Sequence, residues 1–206
     1  MHIGVDESGK GDFFGPLCVA GVRVDEKLEK LFIDAGIRDS KKITDKKILG
    51  LEKIIKANAV HSVVVVSNAK YNELYSKIKN LNRLLAWGHA RVIENICENN
   101  DCDYALSDQF GDESLIKNAL MKNGQNIELR QMVRAESADV AVAAASVLAR
   151  AAYVKKMEQM SAEYGVSFPK GCAQQVKDAA KVFIEKYGKS RLHEVCKTHF
   201  KTFNEV

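Results

Sequence analysis

Hydrophobic positions along the chain switch between a period near two and a period near 3.6, and the switches predict the order of elements. Residues 3–6 and 17–24 read as two strands joined by a glycine-rich turn. Residues 25–35 and 44–58 have helical composition, with Thr44 as the N-cap of the second. Residues 61–66 include four consecutive valines, the pattern expected of a strand buried on both faces. Residues 82–99 predict a long helix carrying Leu84, Leu85, Val92, Ile93 and Ile96. A short strand is expected at 104–108, a helix at 114–122 and another strand at 127–133. Residues 137–164 form the longest predicted helix, and its alanine-rich first half is apolar almost all round, so it belongs deep in the core. Helices at 173–187 and 191–196, with a more basic surface, close the chain. The order β-β-α-α-β-α-β-α-β-α-α predicts an α/β fold with a mixed central sheet flanked by helices and a helical C-terminal region.

Composition narrows the function classes only a little. Hydrophobic residues make up 46% of 206, enough for a substantial core, so a disordered chain is excluded and one domain is expected over residues 1–206. The net charge of +4 leans mildly toward polyanionic partners. Five cysteines, an odd number without a C-x-x-C pair, predict neither a disulfide framework nor a zinc site and fit a reducing, cytoplasmic setting. The N-terminus has no basic region followed by an apolar run, and the longest apolar stretch, 140–149, is too short to span a bilayer.

The informative residues are carboxylates at the ends of predicted strands. Asp6 and Glu7 stand where the first strand runs into Ser8-Gly9-Lys10-Gly11, Asp108 ends the strand at 104–108, and Glu136 lies just ahead of the alanine-rich helix. Chemistry in open α/β sheets gathers outside strand ends. Four carboxylates converging there repel one another unless cations hold them, and hard Mg²⁺ is the natural occupant. Asp6 and Glu7 are adjacent, so a regular strand would turn them to opposite faces. Both serve one site only if the pleat breaks, as Gly9 and Gly11 allow, and either the side chain or the carbonyl of Glu7 is then a ligand. Asp139 competes with Glu136, but one turn inside the helix it better suits a role against the helix dipole. Residues 4–10 also fit G-x-x-x-x-G-K. The phosphate-loop reading fails because Gly11 stands where Ser or Thr should hold a metal and two carboxylates lie inside the loop.

The stretch Gly4-Val-Asp-Glu-Ser-Gly-Lys-Gly-Asp-Phe-Phe-Gly-Pro-Leu17 closely resembles the opening motif of type 2 ribonucleases H, and its Ser-Gly-Lys-Gly form is similar to ribonuclease HIII. Asp39-Ser40-Lys41-Lys42-Ile43 is similar to the family's D-S-K-K-L motif. Asp108 matches its third carboxylate. Glu136, ten residues before Ser146, matches its fourth, which is Glu in ribonuclease HIII and Asp in ribonuclease HII. Phe168-Pro-Lys170-Gly171 and the segment 192–202 also look like ribonuclease HIII. Ribonuclease HIII carries an N-terminal domain similar to half of a TATA-binding protein. The motif here begins at residue 4, so none is expected in this chain.

The resemblance implies endonucleolytic hydrolysis of the RNA strand of RNA/DNA hybrids, leaving 5′-phosphate and 3′-hydroxyl ends. It implies two Mg²⁺ ions, with Mn²⁺ as a substitute, held by Asp6, Glu7, Asp108 and Glu136. Gly9, Lys10, Gly11, Ser40, Lys41, Lys42, Ser146 and Lys170 would contact substrate. The basic C-terminal part, about residues 165–206, carries eight Lys/Arg against four Asp/Glu from residue 170 onward and would grip the backbone. No membrane and no obligate protein partner is implied, and a monomer is expected. The five histidines are expected in packing or surface roles. The alternatives are a ribonuclease HII-like enzyme cutting at single ribonucleotides and a hybrid-binding module without catalysis. Ribonuclease HII reads an RNA–DNA junction with the tyrosine of a K-G-Y-G motif. Cys172 occupies that place here, which favours ribonuclease HIII.

Overall fold

The computed structural model describes residues 1–38 and 43–206. The D-S-K-K motif, with the expected contacts Ser40, Lys41 and Lys42, lies outside them. Five strands form one sheet: β1 His2–Ser8, β2 Leu17–Val24, β3 His61–Val66, β4 Tyr104–Asp108 and β5 Glu128–Met132. Their order is β3-β2-β1-β4-β5. β1, β2 and β3 pair antiparallel, whereas β4 and β5 run parallel to β1. This is the expected mixed sheet. The parallel half places the C-terminal ends of β1 and β4 side by side, with Val5 opposite Ser107.

Helices cover both faces. On one lie α1 Glu26–Asp34, α2 Asp45–Asn58 and the long α7 Val140–Tyr164, packed on Ala20, Val22 and Val24. On the other lie α3 Asn68–Ile78 and α4 Leu81–Cys97, packed on Ile3, Val5, Leu17 and Val19. α7 approaches β1 so closely that a Cβ on Gly4 would fall 2.1 Å from backbone atoms of Ala141 and Val142. That approach sets the first turns of α7 directly over β1. α5 Ser114–Lys117 and α6 Ala135–Ala138 are single turns. A third apolar cluster joins the second half of α7 to α8 Gln174–Tyr187, a 3₁₀ helix Lys189–Glu194 and α9 Thr202–Glu205.

Four expectations need correction. β3 is an edge strand, half-exposed along most of its length with Val65 39% accessible, because one flank has no neighbour. The valine run reflects β propensity rather than two-sided burial. Helix α3 was not expected at all, although Tyr71, Leu74, Tyr75 and Ile78 have helical spacing. The predicted helix 137–164 is broken at Asp139, whose backbone is extended. Asp139 is the N-cap of α7, accepting from the Val142 amide at 3.0 Å, rather than a residue one turn inside it. The stretch predicted as helix at 191–196 is the 3₁₀ turn.

Candidate active site

A cavity of about 400 Å³ opens where β1 and β4 end, lined by Asp6, Glu7, Gly9, Lys10, Gly11 and Asp108, with Ser146, Arg150, Tyr153 and Lys170 on its other walls. β1 stays regular through Ser8, with Asp6 paired to Ala20 and Glu7 to Val19. The pleat does not break. Asp6 turns to the α7 face, where the Ser146 hydroxyl bonds it. Glu7 turns to the α4 face, where His89 Nε2 lies 2.8 Å from Oε2. Two adjacent carboxylates reach one cavity because the cavity caps the strand end and is open to both faces.

Asp108 accepts the Ala135 amide at 3.3 Å. The preceding residue, Arg134, holds left-handed backbone at φ 57°, unusual for a side chain of this size, and turns the chain into α6. Glu136, on α6, is 6% exposed and does not line the cavity, but its charge is close enough to act on Asp6. Among the described residues no three His, Cys, Asp or Glu side chains already stand close enough to enclose a metal ion.

The electrostatics divide the pair at the strand end. Burial, reinforced by the Glu7 charge, pushes the Asp6 carboxyl up to about 8, against the Ser146 bond. Burial also pushes Glu7 upward, but the bond and charge of His89 and the Lys10 ammonium outweigh it and bring Glu7 down to about 2. Lys10 Nζ sits 2.5 Å from Glu7 Oε1. Burial lowers Lys10, yet Glu7, Asp6 and Asp108 hold it above its ordinary value. A carboxyl raised far above its ordinary range and a lysine drawn onto its neighbour mark a place short of positive charge. The donors are carboxylate oxygens with one hydroxyl, a set that suits a hard divalent cation.

The glycine-rich loop has two different reasons for its glycines. Gly9 has φ +91°, and a Cβ there would fall 2.3 Å from the Pro16 carbonyl oxygen, so the fold requires it. A Cβ on Gly11 would meet nothing within 4 Å. Lys170, on the rim, is engaged by Asp45 at 3.0 Å, and Arg150 bonds the same carboxylate at 2.7 Å. Sequence reasoning missed Arg150 and His89. His89 is fully buried, edge-on to Phe110, and its partner lies 82 residues away with no spacing signal.

Comparison with known proteins places the chain in a family. A family model described as ribonuclease HII matches residues 3–203. Ribonuclease HIII of Protochlamydia amoebophila is 45% identical over 205 residues, spanning all of this chain and 68% of that protein. Ribonuclease HIII of Chlamydia felis is 47% identical over 208 residues, spanning all of this chain and 69% of that protein. The crystal structure of Bst-RNase HIII in complex with Mn²⁺ superposes with a TM-score of 0.91 at 30% identity, covering 99% of this chain and 68% of that one. The fold and these likenesses define the class, a ribonuclease H enzyme of type 2. Within that class the chain belongs to the ribonuclease HII family, in its ribonuclease HIII branch.

Proposed function

We propose that the chain cuts the RNA strand of RNA/DNA hybrids at the cavity where β1 and β4 end, leaving 5′-phosphate and 3′-hydroxyl products. The observation that carries this reading is the convergence of Asp6, Glu7 and Asp108 on one cavity walled by a glycine-rich loop. Asp6, Glu7 and Asp108 would hold two Mg²⁺ or Mn²⁺ ions, with Glu136 reaching in from α6. When bound, such ions activate a water, stabilise the leaving oxygen and neutralise the phosphate. Ser146 orients the Asp6 carboxylate and His89 orients Glu7. Lys10, relieved of Glu7 by a cation, is placed to meet a phosphate. The Gly9–Lys10–Gly11 backbone reads the 2′-hydroxyl, both donor and acceptor, that separates RNA from DNA. Lys170 and residues from about 165 to 206 contact the backbone of the hybrid. Residues 1–206 act as one catalytic unit, as a monomer in the cytoplasm. Among the described residues no helix is long and apolar enough to cross a membrane.

The test offers a labelled continuous hybrid, a duplex with one embedded ribonucleotide and plain DNA, each with Mg²⁺ or Mn²⁺. Metal-dependent cutting of the hybrid with 5′-phosphate ends is the expected result. Cutting of DNA alone, or binding without cleavage, would overturn it.

A further inference from the structure

Lys197 is fully buried, and among the described residues no carboxylate bonds its ammonium. Its Nζ donates instead to three main-chain oxygens of the glycine-rich segment: Asp12 at 2.9 Å, Phe14 at 3.5 Å and Gly15 at 2.6 Å. Burial lowers its pKa to about 8, with Asp12, Cys18 and Cys196 as the facing titratable groups. A buried cation is costly, and here the groups bonded to it are carbonyl dipoles that must all turn inward.

The surroundings tie this residue to the loop more than once. The Lys197 amide donates to Phe13 O at 2.8 Å, and the Gly15 amide donates to Val195 O at 3.0 Å. Helix α3 braces the assembly. Asn68 donates to Gly15 O at 2.9 Å, Tyr71 lays its ring 5.5 Å from the ammonium, and Asn72 bonds Cys196 O at 3.0 Å and the Thr198 amide at 3.0 Å. With the carbonyls of residues 12–15 drawn inward, the outward face of the loop is the Lys10–Gly11 turn. Among the described residues those two amides donate to no main-chain acceptor.

We propose that Lys197 is a positioning residue: by gathering the carbonyls of Asp12, Phe14 and Gly15 it fixes the loop so that the Lys10 and Gly11 amides meet the ribose of the RNA strand. The inference rests on the hybrid-cleavage reading above.

Two variants test it. Lys197→Met keeps the length of the side chain and removes the ammonium. Asn72→Ala loosens the segment that carries Lys197 from outside the cavity. Assayed well below their melting temperatures on a continuous hybrid, K197M should lose roughly 10- to 100-fold in kcat, the scale of a 1 Å misplacement, with KM changed less than about threefold. N72A should lose a smaller factor in kcat in the same manner. Hydrogen exchange at the Asp12, Phe13 and Gly15 amides should quicken at least about tenfold in both, while β1 and β4 amides hold. A merely structural lysine would lower the melting temperature and leave kcat intact. Wild-type kcat with unchanged loop exchange in folded K197M overturns the proposal. If K197M does not fold, N72A decides by the same two readouts. If the wild-type enzyme does not cut the hybrid, the functional reading falls, and loop exchange alone judges the tether.

Discussion

Replacing Asp6 by asparagine should make the metal-free protein more stable and the enzyme inactive. The folded-state pKa of Asp6 is raised to about 8 from 3.8, chiefly by burial. As pH rises above about 4 the unfolded chain releases this proton while the folded one keeps it, so stability falls through the window from about 4 to about 8. At pH 7 roughly three pKa units of that window have been crossed. At ~1.4 kcal/mol per unit the ceiling is about 4 kcal/mol, and loss of the Ser146 bond geometry returns about 1. At ~2–4 °C per kcal/mol for a chain of this size, D6N should melt several degrees above wild type at pH 7 without metal, and the difference should vanish near pH 4. Added Mg²⁺ should raise the melting point of wild type more at pH 8 than at pH 6, since a ligand must lose its proton to bind, and should do little for D6N. Hybrid cleavage by D6N should drop at least ~10³-fold. Melting curves across pH, with and without Mg²⁺, check the whole chain of reasoning. A wild-type melting point that is flat from pH 5 to 8, or a D6N protein less stable than wild type at pH 7, would refute it.

Further expectations follow from the same site. Gly11→Ala, whose Cβ meets open space, should leave stability unchanged or raise it by ~0.4–1 kcal/mol yet cut hybrid cleavage at least about tenfold, whereas Gly9→Ala should destabilise by more than ~1 kcal/mol; thermal melts beside cleavage rates separate the two. A duplex with a single ribonucleotide should be cut far more slowly than a continuous hybrid in Mg²⁺. Cys172 replaces the junction tyrosine, Tyr153 is buried against Phe14 O, and Tyr164 and Tyr187 bond away from the cavity; equal rates would favour the ribonuclease HII reading. Asp45→Asn should remove the carboxylate that engages Lys170 and that Arg150 also bonds, tightening hybrid binding a few-fold at low salt and steepening its loss with added salt; unchanged salt slopes in a filter-binding titration would exclude Asp45 as a competitor of phosphate.

Most of the sheet was legible because strand period and strand-end carboxylates are local signals. Asp6, Glu7 and Asp108 line one cavity, since parallel β1 and β4 end together, while Glu136, expected beside them, does not line it. What was not legible depends on neighbours. The valines of β3 carry the same composition on an edge as in a centre. Asp6 and Glu7 serve one cavity from opposite faces without a bulge, which only the placement of α4 and α7 reveals. His89 has no partner within its own helix that would betray it, and Lys197, counted with the basic tail, is turned wholly inward. The positive charge of that tail is partly spent internally: Arg191 pairs with Glu194 and Lys177 with Glu205.

The bond from Lys197 to Phe13 and the bond from Gly15 to Val195 join parts of the chain 184 and 180 residues apart. Synthesis proceeds at about 5–20 residues per second, and domains organise as the chain emerges. The segment that carries Asp6 and Glu7 is thus made well before the residues that fasten it. A nascent chain that has not reached residue 197 can pair β1 with β2 and still lack the ties that close the glycine-rich loop, so the loop would stay unfastened until that residue has emerged.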